Sequence, residues 1–436
     1  MEPLFLAVIC GCNAGLFREA LHEVYIPRIQ RGNAHFAANV LGATGPLLSA
    51  LGHFFEQGRW GSLIETAIEG QRLTEEDQLF ILMQTGLYLT ATRGLSAPEP
   101  RICYERAEPL CHSLNEPRLL FCVLSGHCRY TLVTDKLSAA TQIAKRMYSL
   151  AQEQNDSALI IGACRALACT RYFLGDFESA RQYAMRGVET WRSGNVPTHA
   201  EDYISPVVDC LIFWARSEWY FGEIASCHAL MDEAISIAKE LKDRNSLADA
   251  LTWAAGLAIL ECDPAEVDRL ASDVIELSTR HNFSYWLAIG TVYRGWARSA
   301  SGNAAEGIPC IEQGIRDLRA TGAVLVLTTL LARKAEALHL ADRTSEALEA
   351  INEAVAIAER FEHGYYGAGL HRLRGVFLAT LGAEETQIEA SFCEAIRIAK
   401  EQKSVSLEKR AEATYAEYRR QKASASGGCN FQLPLW

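Results

Sequence analysis

The chain has 436 residues, 49% of them hydrophobic and 22% charged, with a net charge of −11. That balance is ordinary for a folded protein and excludes wholesale disorder. The acidic sign, with no Lys/Arg-rich block, points away from direct DNA or RNA binding. Fourteen cysteines are scattered singly. Several, such as Cys122, Cys164, Cys169, Cys210 and Cys262, fall inside apolar helical runs and read as small core residues. The expected compartment is a reducing cytoplasm.

The first feature in chain order is a short apolar run, Leu4 to Cys10, that ends in Cys10-Gly11-Cys12. It lacks the basic start of a signal peptide. A lipid-attachment cysteine at Cys12 is one reading and a truncated repeat helix is the other. Gly15-Leu16-Phe17-Arg18-Glu19-Ala20, with Val24 beyond, favours the helix. No other apolar run approaches the roughly 20 residues that span a bilayer, so no membrane partner is expected.

From there the chain repeats itself. A glycine or aspartate recurs at Gly15, Gly58, Gly94, Asp135, Gly175, Gly222, Asp263, Gly302, Asp342 and Gly382, each between two helical stretches. Glycine suits such a turn because it tolerates positive φ. Ala163, Leu167, Ala168 and Tyr172 precede the Gly175 turn at helical spacing, and Ala180, Ala184 and Gly187 follow it. Tyr172 and Phe177 are expected to pack around that turn. The same grammar returns as Cys227, Met231 and Ala234 after Gly222. Gly307, Ile311 and Gly314 repeat it after Gly302, and Ala347, Ile351 and Ala354 after Asp342. Positions five, nine and twelve past a turn share one helix face, where small residues permit close packing. Trp286, Ile289, Tyr293 and Trp296 form the matching stripe on a first helix.

These observations predict an all-α protein, a right-handed superhelical solenoid of helix hairpins. The grammar resembles the tetratricopeptide repeat (TPR), with a period longer than the usual 34 residues or so. Residues 1–72 read as incomplete TPR-like repeats and 73–402 as the repeat array. Residues 403–420 read as a capping helix, charged on one side, and 421–436 as a flexible tail. The tail closes on Phe431-Gln432-Leu433-Pro434-Leu435-Trp436, whose apolar residues can dock on the solenoid itself or on a partner.

From about Leu73 to Arg420 the chain also resembles the helical-repeat region of large bacterial signalling proteins. Those proteins carry an AAA-type ATPase module behind a class III nucleotide cyclase domain or a winged-helix domain. The segments that carry the resemblance include Ala91-Thr92-Arg93-Gly94-Leu95, Tyr172-Phe173-Leu174-Gly175-Asp176-Phe177, Arg294-Gly295-Trp296-Ala297 and Leu370-His371-Arg372-Leu373-Arg374-Gly375. The departures are plain. Gly42-Ala43-Thr44-Gly45-Pro46 lacks the lysine of a phosphate-binding loop. The family's catalytic residues are absent, so its activities do not carry over.

Other constellations are sparse. Cys10-Gly11-Cys12 and Cys111-His112 lack a second pair of metal ligands. No H-E-x-x-H or G-x-S-x-G motif occurs. No enzymatic activity, cofactor or metal is expected. His371, Arg372 and Arg374, beside Glu362 and His363, read either as an anion or acidic-peptide site or as a solvated helix face paired with neighbouring acids. The second reading is preferred.

The expected function is a non-catalytic module for protein–protein interaction in signal transduction or transcriptional regulation. Its concave groove would hold a peptide, or an ATPase, cyclase or transcription-factor domain. The candidate partner-binding residues, taken from first helices, are Arg294, Arg333, His371 and Arg374. One alternative is a sensor of a small effector. Another is the end of a larger cyclase or ATPase whose catalytic domains lie outside this sequence.

Overall fold

The computed structural model describes residues 2–31, 44–57, 59–194, 204–424 and 431–435. The turn residue Gly58, the glycine pair member Gly42 with Ala43, tail residues 425–430 and Trp436 lie outside that set. The described residues are helical almost throughout. Their only bridge pair joins Phe55 and Leu63. The chain is an all-α, TPR-like helical-repeat protein that separates into two compact units, Met1–Tyr130 and Thr131–Trp436. The division falls well past the boundary at residue 72 that the repeat punctuation suggested.

The first unit holds α1 (Glu2–Asn13), α2 (Phe17–Glu19), α3 (Ala20–Gln30), α4 (Thr44–Gly52), α5 (Glu75–Arg93), α6 (Pro98–Ser113) and most of α7 (Pro117–Thr134). A helix does follow the Gly15 turn, but α3 is π-wound and contains Pro27. Proline has no N–H to donate, so a regular α ladder fails there. Cys12 is buried against this pair, and burial pushes its thiol up to about 12. Val8, Leu21, Tyr25, Leu47, Leu51, Phe54 and Leu82 form the core. α5 starts on a capping box in which Thr74 and Asp77 exchange hydrogen bonds.

The second unit takes the end of α7 and α8 (Leu137–Gln154), then six hairpins and a final helix. The hairpins are α9 (Ser157–Leu174) with α10 (Phe177–Ser193), α11 (Pro206–Phe221) with α12 (Ile224–Glu240), α13 (Arg244–Leu260) with α14 (Pro264–His281), α15 (Ser284–Ala300) with α16 (Ala304–Thr321), α17 (Leu327–Leu340) with α18 (Thr344–Phe361), and α19 (Gly367–Thr380) with α20 (Glu385–Glu401). Helix α21 (Val405–Ser424) follows. It runs to Ser424 rather than stopping at residue 420, because Leu407, Ala411, Thr414 and Tyr418 keep one face buried along it.

Most of the punctuation in this unit has one physical cause. Within each of these hairpins the residue closing the first helix sits in the left-handed region: Gly175, Gly222, Cys262, Gly302, Asp342 and Gly382. An αL residue there turns the chain while its N–H caps the last helical turn. Gly175 has φ 84° and donates back to Arg171 and Tyr172. Asp263 holds a different place from Gly175. Like Asp176 it is an N-cap, accepting from the Glu266 amide at 3.0 Å as Asp176 accepts from Ser179 at 3.1 Å. Tyr172 and Phe177 do pack across their turn, ring centroids 5.7 Å apart.

First and second helices differ in burial. Fourteen of the sixteen residues of α11 are buried, against five of the seventeen in α10. First helices therefore form an inner layer enclosed on all sides, and second helices an amphipathic outer layer. The inner helix α9 is 18 residues long and apolar enough by composition to cross a membrane; thirteen of its residues are buried inside the unit. The seams between layers need small residues. A Cβ on Gly314 would stand 2.6 Å from the Ala288 carbonyl and 2.6 Å from Val292 Cγ2.

Gly314→Ala is expected to destabilise the second unit by about 1–3 kcal/mol, because overpacking outweighs alanine's better helix propensity of roughly 0.5–1 kcal/mol. Urea denaturation checks this; an unchanged or raised midpoint contradicts the close packing of α15 on α16.

Candidate functional site

The inner layer of the second unit closes on itself. The backbone amides of Gly364 and Tyr365, in the α18–α19 linker, both donate to the Phe173 carbonyl at the end of α9, at 2.9 and 3.1 Å. One linker earlier, the Val324 amide donates to the Val133 carbonyl at 2.8 Å. One linker later, Ser404 and Ser406 hydroxyls donate to the Tyr220 and Trp219 carbonyls. Arg410 then reaches the Leu260 carbonyl at 2.7 Å. Each late linker thus caps carbonyls left over at an earlier first-helix end, which helices cannot satisfy internally.

Between these contacts lies an aromatic cluster. Tyr172 packs its ring 5.4 Å from Phe213, 6.0 Å from Trp253 and 5.7 Å from Tyr365. Its hydroxyl accepts from Arg216 Nε and Nη2 at 3.0 and 2.8 Å, and that guanidinium also lies over the Trp253 ring. The concave trough expected to receive a partner is filled along this stretch by inner-layer side chains.

The four candidate residues do not converge. Arg333 is buried and committed. It pairs with Glu336 at 3.0 Å and donates to the Tyr366 hydroxyl, while Glu336 also accepts from Trp296 Nε1 at 2.7 Å. Arg374 donates to Asn352 Oδ1 and Ser391 Oγ, so it faces the outer helices α18 and α20. His371 lies half-buried near Glu394 and Glu359 on that same side, and burial lowers its pKa. Arg294 is half-buried, with a buried Nε that has no hydrogen-bond partner among the described residues.

The preferred reading of His371, Arg372 and Arg374 as one solvated face is corrected by the structure. Residues three apart, such as His371 and Arg374, share a helix face, and the two between them point elsewhere. Arg372 turns inward and is only 3% exposed. His363, in the α18–α19 linker, is also buried. Its Nδ1 is 3.0 Å from Thr328 Oγ1, and desolvation holds its pKa at about 4.

Arg372 is the residue that the candidate set missed. Nη1 donates to Thr414 Oγ1 at 3.4 Å and to the Pro434 carbonyl at 3.3 Å; Nη2 donates to the Leu435 carbonyl at 2.6 Å. Its neighbours accept through neutral oxygens, and burial lowers its pKa to about 10. The carbonyls it holds belong to Phe431–Leu435. This segment is docked on α19 and α21, not loose as a flexible tail would be, because Leu433 and Leu435 are buried. The only cue in the sequence is the apolar composition of that segment.

The first unit has an open cleft of about 870 Å³ whose lining includes Phe17, His53, Trp60 and Arg93. The Arg93 guanidinium lies over the Trp60 ring at 5.6 Å. No group of three or more metal-ligating side chains gathers among the described residues.

No family model matches this chain. Over 197 residues, 45% of its length, it is 27% identical to an uncharacterized protein of Rhizobium meliloti (strain 1021). The match spans only 19% of that relative's length. Among solved structures, the chain is similar to NprR in complex with its cognate peptide NprX, with a TM-score of 0.53 and 11% identity over 81% of this chain and 94% of that one. It is similar too to a Rap protein complexed with competence and sporulation factor, with a TM-score of 0.51 and 9% identity over 80% and 99%. At such identities the likeness is one of fold: a TPR-like helical repeat.

Two outcomes follow from the buried groups. Glu336→Ala should destabilise the unit by about 3–5 kcal/mol, since it strands a buried guanidinium; a urea midpoint within error of wild type contradicts that. His363 is held neutral, below its ordinary value of 6.5. The unfolded chain therefore takes up this proton first as pH falls. The stabilisation is complete above about pH 6.5 and is lost toward pH 4, by at most about 3 kcal/mol. Denaturation midpoints from pH 7 to pH 4 should fall less steeply in His363→Gln; identical slopes contradict the assignment.

Proposed function

We propose that this chain is a non-catalytic, cytoplasmic TPR-like module that binds a peptide or protein segment in signal transduction or transcriptional regulation. The observation that carries the reading is the hold on Phe431–Leu435, a stretch outside any helix that is gripped through its main chain by a buried guanidinium on an inner-layer helix. Such a grip reads a peptide backbone while neighbouring apolar sites read alternate side chains. The NprR and Rap structures contain a cognate peptide and a competence and sporulation factor, which supports the same direction. The partial coverage of the longer rhizobial relative fits a module that works beside other domains, an ATPase or cyclase among them.

The second reading, a small-effector sensor, rests on the open cleft of the first unit, whose volume of about 870 Å³ suits a small molecule. One experiment separates the two. The full chain is screened against an extended-peptide library and a metabolite library by thermal shift, since a ligand that prefers the folded state raises the melting temperature. The peptide reading expects apolar peptides to raise it and Arg372→Lys to weaken their binding about tenfold, because lysine cannot serve two carbonyls in a fork. Stabilisation by metabolites alone favours the sensor and contradicts the peptide reading.

A further inference from the structure

The docked segment is itself built like a ligand. Along Phe431–Leu435 exposure alternates: Phe431 is half-buried, Gln432 exposed, Leu433 buried, Pro434 exposed and Leu435 buried. Period-two burial is the mark of an extended peptide lying on a surface with pockets for alternate side chains. The Phe431 ring packs on Tyr418 at 4.9 Å. Gln421 of α21 then clamps the main chain of Gln432 from both sides. Its Oε1 accepts from the Gln432 amide at 2.9 Å and its Nε2 donates to the Gln432 carbonyl at 2.7 Å. Arg372 of α19 takes two further carbonyls, those of Pro434 and Leu435. The site therefore meets the backbone through four hydrogen bonds from two side chains and the side chains through apolar burial.

Most buried cations in this unit have a use that does not involve the segment. Arg333 has Glu336, and Arg216 has Tyr172 and the Trp253 ring. Arg372 differs. Its acceptors are Thr414 and two carbonyls of Phe431–Leu435, and its Nε is buried with no hydrogen-bond partner among the described residues. Removing the segment would take away two of its three hydrogen-bond acceptors and open this part of α19 to solvent. The pocket thus offers a buried fork of donors to the main chain lying in it. Six residues, 425–430, connect Ser424 to Phe431, and a short tether gives an attached ligand an effective concentration on the order of millimolar.

Resting on the peptide-binding reading above, we propose that Phe431–Leu435 is a resident, displaceable occupant of a peptide site formed by α19 and α21. The site's external ligands are extended peptides with apolar residues at alternate positions, matching Phe431, Leu433 and Leu435. Occupancy by the chain's own segment sets the threshold that an incoming peptide must exceed. The backbone carbonyls offered to Arg372 and the main-chain pair offered to Gln421 are general to extended peptides, so selectivity resides in the alternate apolar side chains.

The test uses the full chain and a labelled peptide, Asn-Phe-Gln-Leu-Pro-Leu, blocked at both ends. Fluorescence polarisation measures its binding to wild type and to the double variant Leu433→Asp, Leu435→Asp, whose own segment cannot settle in the apolar sites. The proposal expects at least tenfold tighter binding to the variant, most of it lost when Arg372→Lys is added. Equal affinity for both proteins, or no binding to the double variant, overturns it. Should the double variant fail to fold, hydrogen exchange on wild type decides. Saturating unlabelled peptide should speed exchange at the Gln432 amide, which Gln421 holds, while α19 stays protected, and unchanged protection at that amide overturns the proposal. Foreign-peptide hits whose affinity does not change in the double variant would overturn the present inference and leave the partner reading standing, whereas no foreign-peptide hit at all would overturn both, so the two failures are distinguishable.

Discussion

Everything in the second unit depends on a carbonyl at the end of one helix finding donors nearly half the chain away. Phe173 accepts from both Gly364 and Tyr365. A Cβ on Gly364 would stand 2.2 Å from the Leu174 carbonyl, so only glycine lets the two backbones meet. A helix leaves its last carbonyls without internal partners, and burying them unpaired is expensive. Here a later linker supplies the missing donors, and the stacked hairpins return on themselves. Once the ends are joined in this way, the inner helices have no open side. Arginines and tyrosines that would line a solvent-filled trough instead face one another and must satisfy their polar groups mutually.

That closure explains which cations are spent and which is not. Arg216 and Arg333 lie deep in the inner layer with tyrosine hydroxyls, an indole face and one carboxylate around them. Arg372 lies on α19 beside α21, through Thr414. An extended segment covers it. In repeat arrays the final unit needs a cap because its apolar face has no next neighbour. Here α21 and the segment Phe431–Leu435 both lie against α19, and a peptide is easier to exchange than a helix.

Much of the fold was legible because repetition is redundant. A glycine or aspartate every 40 residues or so, with small residues five, nine and twelve places on, leaves little freedom once helices are assumed. Cys262 was not legible as a turn residue, since a cysteine inside an apolar run gives no sign of the left-handed conformation it adopts. The closure was not legible either. Gly364 looks like any linker glycine until the α9 carbonyls come to meet it. The site was read least well. His371 and Arg374 share a face, and the eye groups Arg372 with them; helical geometry sends it the other way, into the core. The docked segment carried one cue, alternating apolar residues, too short to distinguish docking in cis from docking on a partner.

The account stands or falls on the closed inner layer. The direct measurement is hydrogen exchange at the Gly364 and Tyr365 amides of the protein without added ligand. Closure predicts that both exchange as slowly as amides in the middle of α9, opening only when the unit unfolds. Exchange at the rate of an exposed linker would mean that the hairpins do not meet, that the inner face is open, and that Arg372 has no enclosed site from which to hold a peptide.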